Sequence, residues 1–199
     1  MPQPRVAGLV LAGGRSSRFG GEKAVATLCG RPLLDWCARA LAGAGASVAV
    51  NARPGSETET LARVMGFPVL HDDPALPAGP LTGVTEGLAW AAAQGFDRLV
   101  TLPCDTPLVR ADHVAALIAG LGEARAAYAV TDEGPQGLCA AWRVEVATAL
   151  LTRLAAGQHP SVQGLLEEIG ARQVRFADPV TFGNINRRDD LARLQERAA

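Results

Sequence analysis

The chain has 199 residues, 48% of them hydrophobic, which is enough to build one domain with a sizeable core, and we expect a single domain over 1–199. The formal net charge of −1 at pH 7 provides no field that would attract nucleic acid or an anionic membrane surface. No segment reaches the roughly 18 uninterrupted apolar residues of a membrane span, so we expect a small-molecule partner, no nucleic acid and no membrane.

Short apolar runs alternate with longer segments of helical periodicity along the chain. The first half is predicted to run as strand 6–11, helix 32–43, strand 47–51, helix 57–66, strand 68–71, helix 82–95 and strand 98–103. The second half is predicted as helix 111–122, strands 126–132 and 137–143, helices 144–156 and 161–170, strand 172–176 and helix 189–199. This alternation, with near-continuous apolar strands, predicts a Rossmann-like α/β fold in which helices cover both faces of a mostly parallel sheet.

That architecture indicates where a ligand would bind. In an open parallel sheet, ligands lie beyond the carboxyl ends of the strands, where the strand order reverses. The informative residues are therefore those that follow each strand. They are the glycine-rich loop after Leu11, Asn51, the pair Asp72 and Asp73, and Asp105.

The first of these, the segment 9–24 (LVLAGGRSSRFGGEKA), ends at the only lysine of the chain, whereas the other 18 of its 19 basic residues are arginines. Its glycines lack the GxGxxG spacing, and Glu22 precedes Lys23 where a P-loop needs glycine. Glycines let successive backbone N–H groups converge on an anion, and Arg15, Arg18 and Lys23 add positive charge. By itself the loop fits either a polyphosphate site or a surface loop with solvated arginines.

The segment LPCDTPL places Asp105 between two prolines at the end of an apolar strand. Carboxylate oxygen is a hard ligand suited to Mg²⁺, which typically binds through one or two carboxylates plus substrate phosphates. The alternative is that Asp105 only caps the turn. Because a basic glycine-rich loop follows the first strand of the same sheet, we favour a site for Mg²⁺, with Mn²⁺ as a substitute.

Nucleophilic and ligating side chains are sparse elsewhere. The four cysteines, at 29, 37, 104 and 139, form neither a CxxC pair nor a dense disulfide framework. Such cysteines are typically reduced and mostly buried, so we expect a cytoplasmic protein. His159 stands alone in a predicted loop, which is weak evidence for metal binding or acid–base work.

Five segments carry a family resemblance: LAGGRSSRFGGEKA, GRPLLDW, GPLTGV, PCDTPLV and NINRRDDL. In order and spacing they resemble the motifs of the molybdenum cofactor guanylyltransferases, over essentially the whole chain. The resemblance implies a nucleotide-diphospho-sugar transferase fold of the glycosyltransferase-A type. It also implies a Mg²⁺-dependent enzyme that transfers GMP from GTP to the phosphate of molybdopterin or Mo-molybdopterin, releasing pyrophosphate.

The resemblance assigns roles by position. The GTP-binding positions are Leu11, Ala12, Gly13, Gly14, Lys23, Asn51, Asp72 and Asp105, of which Asp105 is the metal ligand. The positions that look toward the pterin are Arg18, Gly79, Pro80, Asn184 and Asn186. The expected catalytic groups are Lys23, Asp105 and Arg18. From the residues alone, Gly79 and Pro80 equally fit plain helix punctuation, and the two asparagines equally fit a turn that caps the last helix.

The resemblance also favours guanine. The sister cytidylyltransferases typically have alanine where this chain has Gly13, and acidic residues where it has Asn184 and Asn186. A bare glycine leaves more room beside a purine. One departure from the family pattern is that Arg187 and Arg188 stand where the family usually has Thr-Pro.

Three classes of function remain open from the residues. The first is guanylyl transfer to molybdopterin. The second is a related nucleotidyltransferase acting on a sugar phosphate, on an isoprenoid precursor, or with CTP on the same pterin. The third is a non-catalytic module that delivers cofactor to apo-enzymes. We expect a monomer or weak homo-oligomer, with other molybdenum cofactor biosynthesis or delivery proteins as further partners.

Overall fold

A computed structural model describes residues 5–14 and 19–198 of the chain. Its strands are β1 (Val6–Leu11), β2 (Thr27–Leu28), β3 (Arg31–Pro32), β4 (Ser47–Asn51), β5 (Val69–Leu70), β6 (Arg98–Pro103), β7 (Ala126–Thr131), β8 (Gly134–Arg143) and β9 (Arg172–Arg175). Its helices are α1 (Leu33–Gly43), α2 (Glu57–Val64), α3 (Pro80–Ala93), α4 (Ala111–Leu121), α5 (Val146–Ala155), α6 (Val162–Glu168) and α7 (Arg188–Ala198). Every predicted element is present. The short β2–β3 hairpin and two 3-10 turns, Lys23–Val25 and Pro179–Phe182, were not predicted.

The central sheet has seven strands in the order β5-β4-β1-β6-β8-β7-β9. Strand β1 pairs in parallel with both β4 and β6, and Leu11 lies opposite Asn51 on one side and Pro103 on the other. The carboxyl ends of these three strands are therefore level. Loops that leave them lie side by side at one edge of the sheet, as the sequence predicts.

Strand β8 is the exception to the parallel arrangement, because it runs antiparallel to both of its neighbours, β6 and β7. Only residues 132 and 133 separate β7 from β8. Such a short link can form a hairpin but cannot carry the crossover that parallel pairing requires. The sheet is thus mostly parallel, as predicted, with one reversed strand that follows directly from the missing helix.

Helices pack on both faces of the sheet and bury two apolar clusters. One face of the sheet contacts α1 and α4 through residues such as Leu41 and Leu117. The other face contacts α3, α5 and α6 through residues such as Leu88 and Leu150. Because side chains alternate across a strand, Leu9 and Val10 of β1 enter opposite clusters. No helix among residues 5–14 and 19–198 is long and apolar enough to cross a membrane.

Helix α2 is held at its first turn mainly by hydrogen bonds. Ser56 accepts a hydrogen bond from the backbone N–H of Glu59 at 3.1 Å, which caps the helix. The Glu59 carboxylate accepts hydrogen bonds from Arg63 at 2.7 Å, from the backbone N–H of Gly55 at 2.6 Å, and contacts His71 at 3.0 Å. The bonds from Arg63 and Gly55 lower the pKa of Glu59 from 4.5 to about 2.

This lowered pKa predicts a pH-dependent contribution to stability. A carboxylate whose pKa is lower in the folded protein stabilises it above the unfolded pKa and loses that effect as the pH falls through the folded value. We expect Glu59→Gln to lower the unfolding midpoint at about pH 7, and the deficit relative to wild type to shrink by about pH 3. Thermal or urea unfolding at both pH values measures this. The matched control is Glu57→Gln on the same turn, whose side chain is exposed; an equal deficit for Glu59→Gln at both pH values would contradict the assignment.

Candidate active site

Three adjoining cavities open at the level carboxyl ends of β1, β4 and β6. The wide cavity, of about 530 Å³, is lined among others by Gly13, Asn51, Asp72, Gly79 and Pro80. The central cavity, of about 170 Å³, is lined among others by Ala12, Lys23, Thr58 and Asp105. The hairpin cavity, of about 280 Å³, lies beside the β7–β8 hairpin and is lined among others by Asp105, Pro135, Leu138 and Asn184. Pro103, the last residue of β6, lines all three.

In the central cavity, Lys23 and Asp105 form an ion pair. The Lys23 ammonium donates to Asp105 Oδ2 at 2.8 Å and to Asn186 Oδ1 at 3.2 Å. Only 12% of the lysine side chain and 19% of the aspartate side chain are exposed, so salt screens this pair less than a surface pair. The sequence predicts that these two residues meet across one cleft, and the structure places them in direct contact.

A tight turn holds Asp105 in place. The Thr106 hydroxyl donates to the Pro103 carbonyl at 2.9 Å, within the turn that ends β6. The Asp105 carbonyl accepts a hydrogen bond from the backbone N–H of Ile185 at 2.9 Å. This bond fastens the segment 184–186 to the turn. The segment and Asp105 together form one edge of the cleft.

Ile185 is buried while its neighbours Asn184 and Asn186 are exposed, so the two asparagines lie on the same side of the segment. Asn186 contacts Lys23, and Asn184 lines the hairpin cavity. The turn before α7 is closed by Asp190, whose Oδ2 accepts hydrogen bonds from the backbone N–H groups of Asn186 and Arg187 at 2.9 and 2.8 Å, and not by an asparagine side chain. One segment thus serves the cleft and begins α7.

On the opposite side of the cleft, Asn51 is 3% exposed and donates from Nδ2 to Asp72 Oδ1 at 2.8 Å. Its other amide atom, Oδ1, lies between two glycines. A Cβ atom on Gly13 would come within 2.9 Å of this oxygen, and a Cβ atom on Gly83 within 2.7 Å. Both distances are too short for a real contact. Gly13 is therefore required by the position of the Asn51 amide, a reason that the sequence does not reveal.

The cysteines supply no nucleophile here. All four are unpaired, and three are buried beneath the cleft. Burial raises the pKa of Cys37 and of Cys139 to about 12, and burial together with the Asp105 charge raises that of Cys104. These thiols are protonated at neutral pH and unreactive. In the described part of the chain, no group of three or more His, Cys, Asp or Glu side chains could hold a metal ion.

The remaining predicted site residues that the structure describes line different cavities of the cleft. Leu11 and Gly14 line both the wide and the central cavities. Gly79 and Pro80, which the resemblance puts on the pterin side, line the same cavity as Asn51 and Asp72, whereas Asn184 lines the hairpin cavity. Arg18, with its neighbour Arg15, lies outside the described residues.

Sequence reasoning did not find two neighbours of the cleft. The imidazole of the loop residue His159 lies against Gly79, where a Cβ atom would come within 2.5 Å of its Nε2. The carboxylate of Glu22 is bound by Thr58, and both residues line the central cavity. Neither contact has a sequence signal, because each joins residues far apart in the chain.

Comparison with known proteins agrees with this geometry. Residues 8–174 match the family model of the MobA-like NTP transferase domain. A molybdenum cofactor guanylyltransferase from Cereibacter sphaeroides is 43% identical over 195 residues, which cover 96% of each chain. One from Acidiphilium cryptum is 41% identical over 92% of this chain and 90% of the relative. The solved structure of molybdopterin-guanine dinucleotide biosynthesis protein A from Archaeoglobus fulgidus has the same fold, with a TM-score of 0.75 at 23% identity over 96% of this chain and 98% of that chain. The chain therefore belongs to the MobA-like nucleotidyltransferases, in the family of the molybdenum cofactor guanylyltransferases.

Proposed function

We propose that this protein transfers GMP from GTP to the phosphate of molybdopterin, releasing pyrophosphate and forming molybdopterin guanine dinucleotide. The observation that carries the proposal is the Lys23–Asp105 pair, 2.8 Å apart where β1 and β6 end. A cation and a carboxylate, the kind of ligand that Mg²⁺ prefers, therefore lie together at the edge of the sheet, which supports a triphosphate site there. The relatives that match nearly the whole chain are named for this reaction.

The reaction needs no general base. The molybdopterin phosphate is already an anion at neutral pH, and one of its oxygens attacks the α-phosphorus of GTP. The new P–O bond forms as the bond to pyrophosphate breaks. Catalysis of such a transfer is mainly positioning and stabilisation of charge. The protonated thiols near Asp105 are consistent with this, since they offer neither a base nor a covalent nucleophile.

We assign to Lys23 the stabilisation of the negative charge that develops on the α-phosphate and on the leaving pyrophosphate. An ammonium group has three N–H donors. Two of them contact Asp105 and Asn186, which leaves a third for a phosphate oxygen. Because the side chain is mostly buried, its charge acts in a medium that screens it less than water does.

The chemistry at Asp105 fits a Mg²⁺ or Mn²⁺ ligand. Among the hydrogen bonds of the described residues, Asp105 uses only Oδ2, so Oδ1 is available to a cation. One carboxylate with water and substrate phosphates is a typical Mg²⁺ environment. A metal bound there would supply further positive charge to the triphosphate.

The cavities suggest how the substrates are arranged. We place the nucleoside in the wide cavity, beside Asn51 and Asp72, and the triphosphate across the central cavity. The pterin phosphate then approaches from the hairpin cavity, beside Asn184. We also propose a cytoplasmic location, in keeping with the four unpaired cysteines.

Lys23 and Asp105 should each be necessary for the full rate of guanylyl transfer. Lys23→Ala and Asp105→Ala should each lower guanylyl transfer by about 100-fold to 1000-fold, the usual cost of losing one electrostatic group at a reacting centre. Pyrophosphate release with GTP, Mg²⁺ and molybdopterin measures the rate. Arg39→Ala, which removes the cation of an exposed ion pair on α1, is the matched control and should change nothing. Near-normal turnover in either cleft variant would refute its role.

The choice of nucleotide is tested by comparing GTP with CTP. Wild-type protein should use GTP in clear preference to CTP as the limiting substrate with molybdopterin as acceptor. A preference for CTP would replace the guanylyl assignment by cytidylyl transfer and leave the fold and the charge chemistry in place. If the protein turns over a sugar phosphate or an isoprenoid phosphate but not molybdopterin, molybdopterin is ruled out as the acceptor.

A substitution at Gly83 in α3 tests whether the position of the Asn51 amide matters for GTP binding. In Gly83→Ala the new methyl group would lie 2.7 Å from Asn51 Oδ1 and 3.1 Å from Leu11 Cδ2, so the amide has to leave its place. If the displaced Asn51 amide loses one hydrogen bond to the nucleoside, worth about 1.4 kcal/mol, GTP should bind about tenfold more weakly. Calorimetric titration with GTP measures this. Gly43→Ala in α1, where the added carbon meets Ala111 at 3.0 Å, is the control; equal affinities in both variants would show that the Asn51 position does not matter.

A further inference from the structure

Glu22, the residue before Lys23, is bound to the first turn of α2. Its Oε2 accepts a hydrogen bond from the backbone N–H of Thr58 at 2.8 Å and another from the Thr58 hydroxyl. Its Oε1 accepts one from Arg53 at 3.1 Å. Thr58 is 1% exposed, so its hydroxyl has no alternative partner in bulk water. The contact therefore ties the glycine-rich loop to a helix that lies 36 positions further along the chain.

The electrostatics keep Glu22 charged. Burial alone would raise its pKa, but the hydrogen bonds from the hydroxyl and backbone of Thr58, with the nearby Arg53 charge, outweigh burial and leave the pKa lowered. The amino terminus of a helix also favours a negative charge. A charged acceptor makes hydrogen bonds roughly twice as strong as a neutral one does, so this attachment is firm.

Gly20 and Gly21, the two residues directly before Glu22, have no side chain that could fix the lysine by packing. Gly20 has a φ of +73°, and a Cβ atom built on it would meet no atom within 4 Å. A Cβ atom on Gly21 would meet only the end of the Arg188 side chain, at 3.7 Å. On the other side of Lys23, Ala24 is 2% exposed and anchors the backbone. Glu22 is thus the side-chain anchor closest to Lys23 on the glycine side.

We infer that Glu22 is a positioning residue for Lys23. By fastening the loop to α2, its carboxylate sets the direction of the neighbouring side chain, so that the ammonium points at Asp105. Glu22 lines the central cavity but makes no hydrogen bond to Lys23 or Asp105 among the described residues; both of its carboxylate oxygens are bound by Thr58 and Arg53, so its influence on the lysine passes through the backbone. The effect on the rate rests on the proposed function; the effect on the lysine itself does not.

The single lysine of the chain provides a direct readout. Protein labelled with ¹³C at lysine Cε gives one lysine signal by NMR. A side chain held in one orientation keeps its two Hε protons in different environments, whereas a mobile one averages them. We expect two resolved Hε shifts in wild type and one averaged shift in Glu22→Gln, measured well below the unfolding temperature.

Thr58 supplies a matched pair of variants. Thr58→Val removes the hydroxyl at nearly constant shape and should move the Lys23 signal in the same direction as Glu22→Gln, although position 58 does not bond to the lysine. Thr58→Ser keeps the hydroxyl and should restore the wild-type signal. Glu57→Gln, which removes an exposed charge from the same turn, should leave it unchanged. If Glu22→Gln does not fold, the Thr58 pair carries the test.

The same variants test the consequence for the reaction. We expect Glu22→Gln to lower kcat about 10-fold to 100-fold, the cost of a catalytic group misplaced by about 1 Å, with the KM for GTP changed by less than about threefold. An unchanged Lys23 signal in folded Glu22→Gln and Thr58→Val would overturn the inference. If wild type shows no guanylyl transfer while the Lys23 signal responds to both substitutions, the proposed function fails and the positioning role stands.

Discussion

The contact between Lys23 and Asp105 depends on the register of the central sheet. These residues are 82 positions apart, and they meet because Leu11 of β1 lies opposite Pro103 of β6 in a parallel pair. The four central residues of each strand are buried and uncharged, whereas the first and last residues are only partly buried. Charged side chains are therefore confined to the strand ends and to the loops that follow them. Lys23 and Asp105 lie in the loops at the carboxyl ends.

On the side of the cleft opposite Lys23 and Asp105, the constraint is the space around the Asn51 side chain. The Asn51 amide occupies a slot between Gly13, on the loop after β1, and Gly83, on α3. Each glycine is needed because the neighbouring element brings a polar side chain to where a Cβ atom would stand. The wide cavity thus has one fixed wall, built from three elements, against which a nucleoside can be oriented.

The sequence predicts much of this arrangement, for identifiable reasons. The bounds of β1, β4 and β6 are those predicted, because each is an apolar run between turn residues. The rule for parallel sheets then places Lys23, Asn51 and Asp105 at one edge. The direction of β8 was not predicted, although the predicted strands 126–132 and 137–143 leave no room for a crossover helix and therefore indicate an antiparallel pair. The slot for Asn51 and the attachment of Glu22 to Thr58 were missed as well. They depend on side chains that meet from distant segments, for which a single sequence carries no signal.

Helix α2 connects the two sides of the cleft, and apolar packing together with hydrogen bonds to charged groups holds it there. Of its eight residues Thr58 and Ala62 are buried, and Leu61 packs, partly buried, against the apolar cluster on the face of the sheet that α1 and α4 cover. Two carboxylates add hydrogen bonds to this packing. Glu22 reaches it from the loop of Lys23, and Glu59 extends from it to His71, beside Asp72. The positive end of a helix favours both charges. The contacts of α2 with the lysine side and with the Asp72 side therefore both involve carboxylates, and protonation of Glu22 and Glu59 should weaken these contacts.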